Sequence, residues 1–181
     1  MRIVTFILLV FICLFSCTTF AQEKVSNPIY ENWAKFKVGT TTKYQQEAEK
    51  NGKKTVSGEM IYKLVELDSE KVVVEISQTL YQNGKKTELP IAKNQFMAKV
   101  IKRNEQLLPT LKKSDEEVEV PYGKIKCRAI ETSNKWGEYS MVSKTWTNSD
   151  IPGFLVKQTT DMETPEKSIT TISLVQMTGK K

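Results

Sequence analysis

One cysteine is the residue of this sequence best suited to nucleophilic chemistry. Cys13 and Cys17 lie in the apolar N-terminal segment, so Cys127 is the single cysteine of the remaining chain. A thiolate can act as a nucleophile or hold a metal. Cys127 alternates with Ile125 and Ala129, which predicts the apolar face of a strand, where a buried thiol behaves as a small inert side chain. We therefore expect no reactive thiol and, with one cysteine, no internal disulfide.

A run of carboxylates near the middle of the chain is the second group with chemical potential. It consists of Asp115, Glu116, Glu117 and Glu119. Carboxylate oxygens are preferred ligands of Ca²⁺, but these residues lack the spacing of a calcium-binding loop. The pattern is typical of a solvated, charged strand at the edge of a sheet, so no metal site is predicted.

The chain contains no histidine, which excludes most familiar catalytic centres. Without an imidazole there is no Ser-His-Asp or Cys-His nucleophile system and no usual catalytic zinc site. The sequence also lacks a glycine-rich phosphate loop and a CxxC pair, and no cofactor is predicted. We expect a protein that is not an enzyme. An enzyme that uses carboxylates alone, such as a glycosidase, stays open, because it needs only two acidic residues facing one cleft.

Aromatic and methionine side chains remain as candidates for binding. Packing in a core is their ordinary role. Methionine also suits adaptable apolar pockets, and tryptophan can stack on a ligand. Six such residues are predicted to line an apolar ligand site: Trp33, Met60, Phe96, Met141, Trp146 and Phe154.

The N-terminal segment has the layout of a cleavable signal peptide. Arg2 gives a positive start, residues 3–15 form an apolar run, and small residues precede a cleavage site after Ala21. An apolar run of 13 residues is shorter than the roughly 20 that a membrane-spanning helix needs. We therefore predict that residues 1–21 are a signal peptide and that residues 22–181 form a periplasmic or secreted protein.

A lipoprotein is the alternative interpretation of the same segment. Leu14, Phe15, Ser16 and Cys17 resemble the box in which a bacterial signal peptidase leaves a lipidated cysteine as the first residue. Phe15 is bulkier than the residue usual at its position, so cleavage after Ala21 is favoured. Membrane association is expected only if Cys17 is lipidated.

The charged residues give the chain a formal net charge of +6 at pH 7, which becomes +5 when Arg2 is removed with the signal peptide. Most of the basic residues are lysines that are interleaved with glutamates. A nucleic-acid surface would more often cluster arginine and lysine, so nucleic acid is not expected as a partner. Weak attraction to anionic lipid head groups remains open.

A single helix is predicted near the start of the mature chain, over residues 28–36. Asn27 can cap it and Pro28 suits its first turn. Ile29, Trp33 and Phe36 share one face at spacings i, i+4 and i+7. This apolar face predicts a helix that covers one end or one face of a sheet.

From Thr40 onward the apolar residues repeat every second position, which predicts strands. Asn51-Gly52 and Asn83-Gly84 are hairpin signals, and residues 71–81 have the strongest strand pattern. Residues 94–103 fit both a strand and a helix, and a strand is favoured. Further expectations are a connection over residues 107–114 and turns over residues 134–137 and 151–153.

These elements predict a mainly β fold: a curved antiparallel sheet of about nine strands, as a half-barrel or barrel, with a short N-terminal helix. Short hairpin links cannot make parallel crossovers, and a sheet of this many strands tends to curl. The composition shows no break or linker, so residues 22–181 are expected to be one β domain.

A segment of the second half is similar to small exported bacterial proteins of unknown function. Its residues are Gly123, Cys127, Trp146, Pro152-Gly153 and 155–157. This order resembles the lipoprotein-carrier (LolA-like) half-barrel superfamily. The resemblance covers about a fifth of the chain and implies an apolar ligand site, for example for lipid or acyl chains.

Two functions follow as hypotheses. The favoured one is an exported, non-enzymatic binding protein that sequesters a lipid or another apolar molecule on the concave face of the sheet. The alternative is a structural or protein-interaction module of the cell envelope with a filled core, whose partner would be an envelope protein.

Overall fold

The computed structural model describes residues 24–101, 111–164 and 166–179. Within these ranges the chain is mostly β-strand with one short helix, as predicted. The predicted signal peptide, residues 1–21, lies outside the described residues, as does Cys17. The twelve strands are β1 Lys24–Ser26, β2 Thr41–Lys50, β3 Lys53–Leu67, β4 Lys71–Gln82, β5 Lys85–Glu88, β6 Ala92–Met97, β7 Lys99–Ile101, β8 Leu111–Val120, β9 Gly123–Trp136, β10 Tyr139–Thr147, β11 Leu155–Glu163 and β12 Lys167–Thr178.

The helix, α1, covers Pro28–Trp33 and begins as the sequence predicts. The Asn27 side chain accepts a hydrogen bond from the backbone N–H of Ile29 at 3.1 Å, and Pro28 occupies the first turn, where no N–H donor is needed. The helix ends three residues earlier than expected, and Phe36 follows it in a turn. Trp33 and Phe36 nevertheless bury their side chains together against the sheet.

Ten strands form one antiparallel sheet in the order β5-β4-β3-β2-β12-β11-β10-β9-β8, and β6 pairs with β4 beside β5. Asn51-Gly52 joins β2 to β3 and Asn83-Gly84 joins β4 to β5. All four residues have positive φ, which is the geometry of a tight hairpin turn. The last strand, β12, pairs with β2, so these two strands lie side by side in the middle of the sheet.

The sheet is not closed into a barrel, so of the two predicted forms the open one is correct. Within the described ranges, no ladder joins the edge made by β5 and β6 to the edge made by β8. The β8–β9 turn does reach back to β12, where the N–H of Tyr122 donates to the carbonyl of Leu174 at 3.2 Å. A bulge in β12 near Leu174 bends its ladder with β2. A second bulge, in β11 opposite Trp146, bends the ladder between β10 and β11.

Strands β1 and β7 form a separate two-stranded ribbon beside the start of α1. The ribbon leads directly into the helix, and Asn27 fixes the junction. Its backbone N–H donates to Ala98 at 3.0 Å and its side chain donates to the carbonyl of Met97 at 2.9 Å. The N-terminal end of α1 is thereby attached to the link between β6 and β7.

The buried side chains form two clusters that share Tyr62 at their border. One holds the apolar face of α1 against β3 and β4 through Trp33, Phe36, Leu64, Val72 and Val74. The other lies across the middle of the sheet, and its members are Tyr44, Met60, Val118, Val120, Cys127, Ile151, Val156 and Leu174. Burial of this apolar surface is the main force that holds helix and sheet together.

The bounds of the strands test three predictions made from the sequence. Residues 94–103 were expected to be a strand, and β6 and β7 confirm this for the described part, with a break at Ala98. The expected connection over residues 107–114 is wrong at its end, since β8 begins at Leu111. That strand is charged because it is an edge strand that pairs only with β9. The turn expected over residues 134–137 is shifted, because β9 continues to Trp136.

Candidate functional site

An apolar cavity of about 160 Å³ lies between α1, the sheet and the loop of residues 148–154. Trp33 forms its helix side, Tyr62 and Val74 its sheet side, Phe96 its β6 side and Pro152 its loop side. Trp33 and Val74 are almost completely buried. Such a chamber, enclosed by aromatic and aliphatic side chains, suits an apolar group and offers few polar partners.

Asn32 attaches the loop to the helix and so fixes one wall of the cavity. Its side chain is completely buried. Its amide nitrogen donates to the carbonyl of Ser149 at 2.9 Å, and its oxygen accepts from the N–H of Gly153 at 2.6 Å. Both bonds satisfy backbone groups of the loop that would otherwise lack a partner beside an apolar surface.

Gly153 allows the loop to approach the indole of Trp33 closely. Its φ is +78°, a conformation that favours glycine, and an added Cβ would lie 3.2 Å from Trp33 Cζ2. Pro152 precedes it and contacts the same space. The Pro-Gly pair therefore acts as a turn that brings backbone, rather than side chain, against the tryptophan.

Two tyrosines complete the sheet side of the cavity. The rings of Tyr44 and Tyr62 meet edge to face, with centroids 5.4 Å apart and an interplanar angle of 82°. The Tyr44 hydroxyl donates to the carbonyl of Leu155 at 2.9 Å. Burial raises the pKa of both hydroxyl groups above the ordinary value, because the charged phenolate is poorly solvated there. The wall is uncharged at neutral pH.

A larger and more open cleft, of about 750 Å³, is lined by other residues of the same loop. Ser149, Asp150 and Phe154 contribute to it from the loop. Its floor is the β8–β9 ladder, where Asp115 pairs across from Arg128 and Glu117 pairs across from Lys126. Charges of both signs therefore face this cleft, and its chemistry differs from that of the apolar cavity.

Glu116 is the centre of a polar cluster on β8, β10 and β11. Its carboxylate accepts hydrogen bonds from Lys144 Nζ at 2.8 Å, Trp146 Nε1 at 2.8 Å and Ser114 Oγ at 2.6 Å. The ammonium groups of Lys144 and Lys157 lie 5.0 Å and 5.6 Å from the centre of the indole. Donation by Lys144, then by Ser114 and Trp146, lowers the pKa of Glu116 from its ordinary 4.5 to about 2. The arrangement holds the tryptophan and the carboxylate in place.

Cys127 lies on β9 directly across from Glu116. Its side chain is buried and burial raises the pKa of the thiol, so the reactive thiolate is disfavoured.

Among the side chains that the structure describes, no group of three or more cysteine, aspartate and glutamate residues is arranged to hold a metal ion.

The six predicted site residues occupy different places in the molecule. Trp33 and Phe96 lie together at the apolar cavity. Met60 is buried in the central core cluster, and Phe154 faces the polar cleft. Met141 pairs across from Met162 on β10 and β11, and Trp146 belongs to the cluster around Glu116.

Sequence reasoning did not identify Tyr44, Tyr62 and Pro152 as cavity residues, nor Asn32 on α1 as the residue that holds the loop. The alternation of Met60, Tyr62 and Leu64 on one face of β3 was a usable signal for Tyr62. Nothing comparable marks Asn32, because its partners Ser149 and Gly153 are more than 100 positions away in sequence.

None of the helices in the described ranges is long and apolar enough to cross a membrane.

The fold can be compared with known proteins. No family model matches the sequence, and no curated protein is similar to it. Among solved structures, the chain is similar to a Bacteroides fragilis protein described as a "putative exported protein with YmcC-like fold". The two share 10% sequence identity with a TM-score of 0.43, over 79% of this chain and 97% of that one. At this level of similarity no function is transferred, and the resemblance to lipoprotein carriers stays a prediction.

Proposed function

We propose that this chain is an exported, non-enzymatic binding protein that takes up a small apolar group in the cavity beside Trp33. The observation that carries the proposal is the cavity itself, an apolar chamber walled by Trp33, Tyr62, Val74 and Phe96 in an otherwise packed helix–sheet interface. Export is supported by the charge, apolar run and small residues of positions 1–21.

The size of the cavity limits what it can hold. Pockets for drug-sized ligands measure roughly 300–1,000 Å³, and an engineered apolar cavity of about 150 Å³ stays dry and binds benzene. A chamber of about 160 Å³ therefore suits the end of an acyl chain or a single ring rather than a whole lipid. The proposed ligand is a lipid or related molecule of which one apolar end enters the cavity.

The first test is native mass spectrometry on the protein purified from its own envelope fraction, followed by lipid extraction of the same sample. We expect a non-covalent mass excess that extracts as lipid. A covalent adduct at the N-terminus would instead show lipidation of Cys17. A bare mass matching residues 22–181 would establish cleavage after Ala21 and count against a retained ligand.

A second test addresses the cavity directly with hexanol as a short apolar probe. We expect hexanol to shift the indole N–H resonance of Trp33 and to leave that of Trp146 unchanged, because the latter is engaged with Glu116. Ile76, a lining residue that is half-buried, offers a matched pair of variants. Ile76→Phe fills the space and should weaken the affinity for hexanol, measured from the Trp33 shift, by more than about tenfold. Ile76→Leu keeps the volume and should preserve this affinity. A shift of Trp33 that survives Ile76→Phe would refute binding in this cavity.

A second candidate function is a structural or protein-interaction module of the envelope. The outer edge of β8 favours it, because no described strand pairs with that side of the sheet and an unpaired edge can accept a strand from a partner. A bare mass together with an unresponsive Trp33 would favour this function over ligand binding.

A further inference from the structure

Strand β8 forms one edge of the main sheet. It is 10 residues long, and within the described ranges it pairs only with β9. An edge of this length presents a row of unpaired backbone N–H and C=O groups, which can accept another strand. The opposite edge is divided between β5, with 4 residues, and β6, with 6 residues. The β8 edge is therefore the longer surface for strand addition, and its side chains decide which strand can pair with it.

The charges along β8 are ordered by sign. Residues 112–116 read Lys-Lys-Ser-Asp-Glu, so two positive residues and two negative residues lie on either side of Ser114. Residues 112–115 are exposed, and the side chain of Glu116 is half-buried. Charged side chains on an edge strand normally prevent strand addition. Here their order prevents most pairings but suits one strand, which is a second copy of β8 that runs in the opposite direction.

The geometry of an antiparallel pair decides which charges meet. Backbone groups that point outward alternate along a strand, so two identical edges pair antiparallel only where one residue lies opposite its own copy. With Ser114 in that central position, Lys112 faces Glu116 and Lys113 faces Asp115. Two-fold symmetry repeats both contacts, and each opposite-charge pair stabilises the ladder. Centring the pair on Lys113 or on Asp115 instead would place two like charges directly opposite each other.

We propose that β8 is the interface through which two copies of this chain form a two-fold symmetric dimer with one continuous sheet. Charge complementarity selects a second copy, because the strand is complementary to itself in the antiparallel orientation. A parallel copy in the same register would place lysine against lysine and carboxylate against carboxylate. The symmetric contact is complete at two copies and removes both β8 edges from solvent. No residue of β8 lines the apolar cavity, so the dimer does not depend on ligand binding.

The first test is sedimentation equilibrium of the purified, exported chain and of two charge reversals. We expect a monomer–dimer equilibrium for the natural chain. K113E places two carboxylates opposite each other at both copies of this contact, and D115K places two ammonium groups there. Each variant should weaken dimerisation at least about fourfold, since two pairs that each contribute about a factor of two are lost and repulsion is added.

An equal mixture of K113E and D115K should restore the dimer. In the mixed dimer the new carboxylate of one chain faces the new ammonium group of the other, and the natural Asp115 and Lys113 face each other at the second contact. The double variant K113E/D115K should likewise dimerise with itself. K53E and E138K are matched controls, because they make the same charge changes at exposed positions of other hairpins. Both should dimerise like the natural chain, and circular dichroism shows whether each variant is folded.

Disulfide cross-linking tests the register. Ser114→Cys places two thiols directly opposite, with Cβ atoms about 4.5–5.5 Å apart, close to the distance that a disulfide requires. Oxidation should therefore link the two chains. Lys112→Cys is the matched control: its two copies are separated by about 14 Å along the strands, so it should not form a link. The native Cys127 is buried and should not react.

Each of four results would overturn the dimer. A chain that stays monomeric up to about 1 mM forms no specific dimer. Assemblies that grow beyond two copies would show that β8 pairs with the opposite edge of the sheet. A dimer that neither K113E nor D115K weakens uses another surface. A monomer that K113E releases from a complex with a different envelope protein would make that protein the partner. In all four cases the response of Trp33 to hexanol is unaffected, so the proposed function is judged separately.

Discussion

The apolar cavity and the polar cleft share one loop, residues 148–154, and differ in every other respect. The cavity is small and only partly open, with Pro152 and Gly153 on its wall. The cleft is several times larger and open, with Asp150 and Phe154 on its wall. We therefore base the proposed binding site on the apolar lining of the cavity rather than on volume. The cleft presents Asp115, Glu117, Lys126 and Arg128 to water, and charges of mixed sign in an open space give little affinity for one ligand class.

Trp33 and Trp146 illustrate the same contrast. Trp33 is 2% exposed and contacts the loop through Gly153. Trp146 is half-buried and is held by polar groups: its Nε1–H donates to Glu116, and two lysines lie over its ring. Trp33 contributes through burial of apolar surface, whereas Trp146 contributes through electrostatic contacts that remain accessible to solvent.

The strongest way to test this contrast is to remove Trp33 and Trp146 separately. Trp33→Ala should lower the free energy of unfolding by about 3–5 kcal/mol, the usual cost of deleting a buried aromatic side chain and leaving a cavity. Trp146→Ala should cost clearly less, because that site is partly open to water and can rehydrate. Urea unfolding followed by circular dichroism measures both. Equal losses in the two variants would contradict the assignment of Trp33 to the core and of Trp146 to a solvated cluster.

Asn32 is the polar counterpart of Trp33 on the same helix. Asn32→Ala should lower the free energy of unfolding by about 2–4 kcal/mol, because the N–H of Gly153 and the carbonyl of Ser149 lose their partner in a buried place. Asn134→Ala on β9 is the matched control and should change stability little, since its half-buried side chain makes no hydrogen bond within the described ranges. The loop should also exchange its amide hydrogens faster in Asn32→Ala, and unchanged exchange there would refute the attachment.

Gly153 separates contact with Trp33 from backbone conformation. Gly153→Ala should lower the free energy of unfolding by about 1–2 kcal/mol from the left-handed backbone alone, with a further loss from the contact at 3.2 Å. Gly52 has a φ of +74°, close to the +78° of Gly153, but nothing lies within 4 Å of its added Cβ. Gly52→Ala therefore measures the backbone cost. If both variants lose the same stability, the loop does not press against the indole.

Local signals explain why much of the sheet could be predicted. Asn51-Gly52 and Asn83-Gly84 have the turn chemistry that a tight hairpin requires, and both form such turns. Asn27-Pro28 likewise marks the start of α1. These features depend on residues within a few positions of one another, so the sequence contains all the information that decides them.

The site depends on contacts that no local pattern contains. Asn32 and Ser149 are separated by 117 positions, and their hydrogen bond decides where the loop lies. The six apolar residues chosen by type lie on the helix, on three different strands and in the loop, so the fold disperses them over several places. Trp33 and Phe96 met at the cavity because helix and β6 pack together, a tertiary arrangement that periodicity alone does not give.

The smallest expected effect concerns the solvated cluster, and it appears as a dependence on pH. Glu116 has a folded pKa of about 2 and an ordinary value of 4.5. The folded state therefore binds a proton less readily than the unfolded state. The stabilisation by Glu116 is complete above its unfolded pKa and is lost as the pH falls from about 4.5 through about 2. Between pH 7 and pH 5 it should not change.

Glu116→Gln tests this dependence, because it keeps the shape and removes the titration. The variant should show a smaller fall in melting temperature between pH 5 and pH 2.5 than the natural chain, with other carboxylates giving the same background in both. Lys144→Met should raise the pKa of Glu116 towards 4.5, since Lys144 is the largest cause of the depression, and carbon-detected NMR titration of the carboxyl group measures it. A titration midpoint near 4.5 in the natural chain would show that Lys144, Ser114 and Trp146 do not stabilise the charged form of Glu116, and the contrast with Trp33 would then be one of burial alone.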